Sequence, residues 1–224
     1  MAKIKEIFKS IQGEGTYIGY EQLFIRFCTC NLNCSYCDTE FSAKEPCFDF
    51  TPLELKEYIE KNFDMCNVHS ISLTGGEPLM SVDFLKEFLP LVKQYKIYLE
   101  TNATLTEKLA EIIDLVDIVA ADIKLKSATG MEDLFFKHDE FLKIAKQKEC
   151  FAKIVFNEKI TDEEIKKSCE LAKKYDIELI LQPQTIGNSL FTSGQFMEEV
   201  LNKFLKLYPK VRLIPQMHKF INVQ

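Results

Sequence analysis

The hydrophobic positions of this chain fall into short apolar runs, separated by stretches whose apolar residues recur at helical spacing. The first clear run, Leu23-Phe24-Ile25, predicts a strand. Thr51, Pro52 and Glu54 then supply an N-cap, a proline at the first helical position and the acid of a capping box, so a helix is expected over 52–61. A buried strand over 68–73 leads into Thr74-Gly75-Gly76-Glu77-Pro78. Ser81 opens a helix whose Leu85, Phe88, Leu89 and Val92 share one face. Further strands are expected over 96–99, 117–121, 150–156, 177–181 and 212–214. Between them lie helices over 106–115 and 133–147, one capped by Thr161 and Glu164 that runs to 174, and one carrying Phe196, Val200 and Phe204. Strands alternating with helices build parallel β/α units, and a count near six is too few for a closed eight-fold barrel. The expected fold class is α/β, and no linker, repeat or low-complexity tract divides residues 1–224 into more than one domain.

Composition sharpens this picture only at its edges. The 46% hydrophobic content is enough for a sizeable core, and the net charge of −6 is spread along the chain. Without a basic stripe or polybasic helix, neither nucleic acid nor a membrane surface is an expected partner. The amino terminus lacks a secretion signal's apolar core and no run is long enough to span a bilayer, so a reducing, cytoplasmic location is expected. Cys47, Cys66, Cys150 and Cys169 are scattered and are expected to be small packed hydrophobes.

The chemistry concentrates at Cys30, Cys34 and Cys37, spaced C-x3-C-x2-C, with Cys28 just before them. Three thiolates can hold an iron–sulfur cluster and leave one iron open to a small molecule; with Cys28 the same stretch could instead form a four-thiolate zinc knot. Spacings this short in a reducing compartment argue against disulfides. Downstream, Gly75-Gly76 at a strand end would let the backbone approach a ligand. Other strands end in Glu100-Thr101-Asn102, Asp122-Ile123-Lys124 and Gln182-Pro183, on the rim where ligands of β/α folds gather.

The cysteine triplet followed by Gly75-Gly76-Glu77-Pro78 resembles the radical S-adenosylmethionine (radical SAM) family. That resemblance implies a partial (β/α)6-type TIM-like barrel open at one side, a 4Fe–4S cluster on Cys30, Cys34 and Cys37, and SAM chelated by the remaining iron. Ser10-Ile11-Gln12-Gly13-Glu14-Gly15, Phe24-Ile25-Arg26, Cys37-Asp38-Thr39 and Pro215-Gln216-Met217-His218-Lys219 narrow the likeness to the members that contract a pterin ring. It runs from about Ile7 to the chain's end. It implies that a SAM-derived radical removes hydrogen from 6-carboxy-5,6,7,8-tetrahydropterin, whose ring contracts with loss of ammonia on the route to queuosine or archaeosine. An external one-electron reductant of the flavodoxin or ferredoxin kind, a Mg2+ ion and a homodimer are implied with it.

The same resemblance distributes roles. SAM contacts fall on Tyr36, Cys37 and Asp38 beside the cluster, on Gly76, and on Glu100 and Asn102 for the ribose. Asp122, Lys124 and Ser127, with Gln182, Pro183, Gln184 and Thr185, match the remaining cofactor-facing strand ends. Substrate contacts fall on Ile11, Gln12, Gly13 and Glu14, on Arg26 for the carboxylate, and on Thr74, His218 and Gln224. Thr39 matches the residue that holds Mg2+. Thr29 and Ala103 stand where the family has glycine, Gln224 where it has proline, and the proline that usually precedes Ser127 is missing. Two other readings compete: a radical SAM activase acting on a partner protein, and a non-enzymatic module built on zinc.

Overall fold

The computed structural model describes residues 1–37, 46–187 and 189–223. Asp38, Thr39 and Gln224 therefore lie outside the described residues. Within them a single sheet of nine strands organises the fold. Strand β1 (Ala2–Ile11) pairs antiparallel with β2 (Glu21–Phe27) on one side and with β3 (Phe48–Phe50) on the other. From β2 the sheet continues in parallel through β4 (Ser70–Gly75), β5 (Ile97–Thr101), β6 (Ile118–Ile123), β7 (Glu149–Phe156), β8 (Glu178–Pro183) and, beyond the two-stranded hairpin of β9 (Thr185–Ile186) and β10 (Ser189–Leu190), β11 (Val211–Leu213). Seven parallel strands thus stand where the pattern suggested about six. β11 and β3 are separate edges, so the arrangement is an open, partial barrel.

The crossovers are α1 (Pro52–Asn62), α2 (Val82–Phe88), α3 (Thr106–Ile112), α4 (Lys126–Thr129), α5 (Phe135–Ala145), α6 (Asp162–Tyr175) and α7 (Gly194–Leu207), followed by a short terminal α8 (Met217–Ile221). Both capping boxes form. Thr51 and Thr161 accept from the N–H groups of Glu54 and Glu164 at 3.3 and 3.2 Å, and those carboxylates accept in return from the threonine N–H groups at 2.8 and 3.0 Å. Strand β1 departs from the sequence reading. Its Ile4, Ile7, Phe8 and Ile11 suit a helix as well as a strand, because a bulge between Ile4 and Glu6 breaks the two-residue alternation.

Along each central strand, alternate residues go to opposite faces. Leu73, Leu99, Val119, Ile154 and Leu181 point outward and pack with Phe88, Phe141 and Phe204 of the helices in the main core. Tyr98, Ile118, Ala120, Phe151 and Ile180 point inward and form a second, smaller cluster with Ile214, against which Tyr17 and Ile18 pack. Above it, towards the strands' carboxyl ends, the inward positions turn polar.

Candidate active site

The cysteine loop leaves β2 at Cys28, whose N–H donates to Lys3 O at 3.1 Å. The end of β4 lies directly against it. A side chain on Gly75, which has φ +100°, would collide with Arg26 and the Phe27 backbone, and one on Gly76 would collide with the Thr29 carbonyl. Gly76 and Glu77 instead donate their N–H groups to Phe27 O and Thr29 O at 2.9 and 2.6 Å. What the paired glycines approach this closely is the chain's own loop stem, which they clamp in place. Glu77 is buried and accepts from the Thr101 hydroxyl at 2.9 and 3.0 Å, from Asn102 N at 2.8 Å and from Leu79 N at 3.0 Å. Burial pushes its carboxyl up to about 7 in spite of these donors.

Cys30, Cys34 and Cys37 line one cleft. Leu32 N and Asn102 Nδ2 donate to Cys30 Sγ at 3.4 and 3.8 Å. Burial raises the thiols of Cys30 and Cys34, and Lys124 works against it at both. Among the described residues no three cysteine, histidine or acidic groups converge as a single metal ion requires. Cys28 is bonded to Cys47, which removes the fourth thiolate of a zinc knot. The donor set left on the cleft wall is three sulfurs, which fits a cluster with one open iron.

That disulfide corrects two expectations. The short spacings of the cysteine loop and a reducing compartment both argue against disulfides, but Cys28 pairs outside that loop, with a cysteine 19 residues away. Pairing of β3 with β1, Ile4 opposite Phe48, returns the chain beside the end of β2 and sets the two Cα atoms 6.4 Å apart. Cys47 is exposed rather than packed, and so is Cys66; Cys169 is buried and Cys150 half-buried.

The cleft, about 630 Å³, is walled by the inward residues of the strands: Arg26 of β2, Thr74 of β4, Glu100 of β5, Asp122 of β6, Lys153 of β7 and Gln182 of β8. Register sets Arg26 beside Thr74 and Asp122 beside Lys153. The Thr74 hydroxyl donates to Glu100 Oε2 at 2.7 Å. Lys153 Nζ donates to Glu14 and lies 3.5 Å from Glu100 Oε1 and 3.3 Å from Asp122 Oδ1. Lys124 pairs with Asp122 at 2.9 Å and lies over the Tyr36 ring. Burial opposes both ammonium groups, but the facing carboxylates outweigh it and hold both well above the ordinary lysine value. Glu14 is depressed, its burial overridden by Lys153; Glu100 is raised, because there burial prevails over the more distant ammonium.

The turn carrying Glu14 is built around Gln12, a buried residue that donates to Gln22 Oε1 at 3.0 Å and accepts from Glu14 N at 3.0 Å. Gly13 lies under His218, leaving no room for a side chain, and its carbonyl accepts from Met217 N at 2.9 Å. Gln216 Nε2 donates to Glu14 Oε1 at 2.7 Å. The terminal α8 thus closes over the turn. At the cleft mouth Arg26 Nε is 2.5 Å from Glu6 Oε1, and Phe8 stacks on Phe24 with centroids 5.1 Å apart.

The structure brings to this cleft Ile11, Gln12, Gly13, Glu14, Arg26, Thr74 and His218, together with Tyr36, Gly76, Glu100, Asn102, Asp122, Lys124, Gln182, Gln184 and Thr185. The Gln182 Oε1 atom is buried there without a hydrogen-bond partner among the described residues, which suits a polar ligand. Two candidates fall elsewhere. Ser127 lines a neighbouring cavity with Glu164, whose Oε1 accepts its N–H at 2.9 Å, and Pro183 sits inside β8 opposite Phe156. Two residues were not singled out from the sequence. Lys153 carries a signal that a search of strand ends misses: one lysine inside the apolar run Phe151-Ala152-Lys153-Ile154-Val155-Phe156. His138 carries none. It is buried, accepts from Lys124 N at 3.0 Å through Nε2, and holds Ala103 O at 3.0 Å through Nδ1, joining two strand-end loops.

An open parallel barrel with three cysteines at its rim defines a class. The profile of the radical SAM superfamily matches residues 24–204, and the chain belongs to that superfamily. Membership brings a 4Fe–4S cluster, SAM as cofactor, a small-molecule substrate and a supply of electrons. Its relatives are more particular. The chain is 38% identical to the 7-carboxy-7-deazaguanine synthase of Geobacter sulfurreducens, over 98% of this chain and 97% of that one. It is 36% identical to the protein of the same name from Archaeoglobus fulgidus, over 100% and 99%. Among solved structures, QueE from Escherichia coli superposes with a TM-score of 0.65 at 20% identity, covering 97% of this chain and 94% of that one, a likeness of fold.

Proposed function

We propose that this protein is a 7-carboxy-7-deazaguanine synthase, converting 6-carboxy-5,6,7,8-tetrahydropterin to 7-carboxy-7-deazaguanine with loss of ammonia. The observation that carries this reading is end-to-end similarity to curated proteins of that name. When bound, the cluster and SAM supply the one-electron chemistry that removes a hydrogen from the pterin ring. The chain's own residues bind, orient and exclude water. Cys30, Cys34 and Cys37 hold the cluster. Tyr36, Gly76, Glu100, Asn102, Asp122, Lys124, Gln182, Gln184 and Thr185 form the SAM side of the cleft, and Ile11 to Glu14, Arg26, Thr74 and His218 form the pterin side. Arg26 presents a planar fork for the carboxylate, with the Phe8–Phe24 stack as an apolar wall beside it. Mg2+ on Thr39 and a contact from Gln224 belong to the same reading, as do Ser127 and Pro183 as cofactor neighbours. So do a homodimer, a flavodoxin-like or ferredoxin-like electron donor, a cytoplasmic location and a single functional domain spanning the chain. No helix of the described residues is long and apolar enough to cross a membrane.

The test is turnover. Reduced, reconstituted enzyme given SAM and the carboxypterin is expected to release the deazapurine and ammonia in equal amounts, with no partner protein added. Cluster-loaded enzyme that binds SAM and yields neither product overturns the reading.

A further inference from the structure

Five charged side chains share the inner layer of the cleft: Glu14, Glu100, Asp122, Lys124 and Lys153. Among these only Lys153 bridges the two halves of the site. Its ammonium holds Glu14, on the turn that α8 covers, and Glu100 and Asp122, on the ends of β5 and β6. Its side chain is 6% exposed, so these attractions are weakly screened by salt. Stability alone does not explain such a residue. Replacing a buried ion cluster with apolar groups of similar volume is often neutral or stabilising, and the strand around Lys153 is already apolar.

Resting on the reading of this cleft as a site for SAM and a carboxypterin, we propose that Lys153 is a positioning residue that couples the binding of one ligand to the binding of the other. A ligand that engages Glu14 weakens its hold on the shared ammonium, which then bears more fully on Glu100 and Asp122. Those two carboxylates take a firmer orientation on the cofactor side. Because coupling between binding sites is reciprocal, SAM must tighten the pterin by the same factor by which the pterin tightens SAM.

Calorimetric titration of SAM into anaerobically reconstituted enzyme, with and without saturating carboxypterin, reads this factor directly. In the unaltered protein SAM is expected to bind at least about five-fold more tightly when the pterin is present. In Lys153→Met the ratio is expected to collapse to within about two-fold of unity, whatever happens to each separate affinity. Glu14→Gln, which leaves Lys153 its two strand-end partners, is expected to do the same and serves alone if Lys153→Met does not fold. A merely structural role would lower melting temperature and both affinities while leaving the ratio intact, and that result overturns the proposal. So does an unaltered enzyme that binds both ligands independently. Failure of the unaltered enzyme to bind the carboxypterin at all strikes the substrate assignment itself, and the coupling falls with it.

Discussion

On β7, Ala152, Ile154 and Phe156 face the helical layer at 2%, 0% and 0% exposure, while Phe151, Lys153 and Val155 of the same strand face the cleft side. The outward set belongs to one continuous apolar core that reaches from β1 to α7. The inward set has a small apolar floor and, above it, a layer of charges paired almost wholly with one another. One periodicity serves both faces, so the pattern of a strand decides that its residues alternate but not what each side must do. The outward face is answerable to packing density, where a lost methylene is felt as stability. The inward face is answerable to ligands, where a lost charge is felt as binding.

Five substitutions can break or sharpen that contrast. The largest effect is expected at the rim. Cys34→Ala should abolish the broad visible absorption and bound iron of the anaerobically reconstituted protein. Cys28→Ala, which removes only the bond to Cys47, should keep both. The reverse pattern would put Cys28 in the ligand set in place of Cys34. On the outward face, Phe141→Ala removes a ring at 0% exposure from the packing of α5 and should cost about 3–5 kcal/mol by urea denaturation. A cost below about 1 kcal/mol would mean that the helical layer is not the tightly packed side.

Between the two faces stands His138. Burial lowers its imidazole to about 4, so the folded protein keeps it neutral while the unfolded chain takes up a proton below its ordinary value near 6.5. Its contribution is therefore complete above pH 6.5 and is lost as the pH falls towards 4, by about 3 kcal/mol in all. His138→Gln, whose amide can still accept from Lys124 N and donate to Ala103 O, should flatten that part of the acid-stability curve. An unchanged slope would place the titrating group elsewhere. The smallest effect is at Ala103, held at φ +55°. Ala103→Gly should relieve that strain and gain up to about 1 kcal/mol, read as a rise in melting temperature of a few degrees.

Much of this was legible in the chain. Both capping boxes and the parallel strands after β2 follow from local spacing, because caps and periodicity act over a few residues, while the place of the cysteine triplet on the cleft wall was implied by the radical SAM resemblance. Strand β1 was not legible, since its bulge disguises the alternation. Nor was the pairing of Cys28 with Cys47, which needs β3 laid against β1.

By itself, then, the sequence determined the alternation of strands and helices, the helix starts and the sulfur-rich loop, all of them short-range consequences of residue type. Only the tertiary structure decided that Gly76 presses on Thr29, that His138 spans two loops and that Lys153 meets Glu14, 139 residues away. Those contacts depend on strand register and on the order of strands in the sheet. No window of neighbouring residues contains that information, because it is set by how the whole outward face packs.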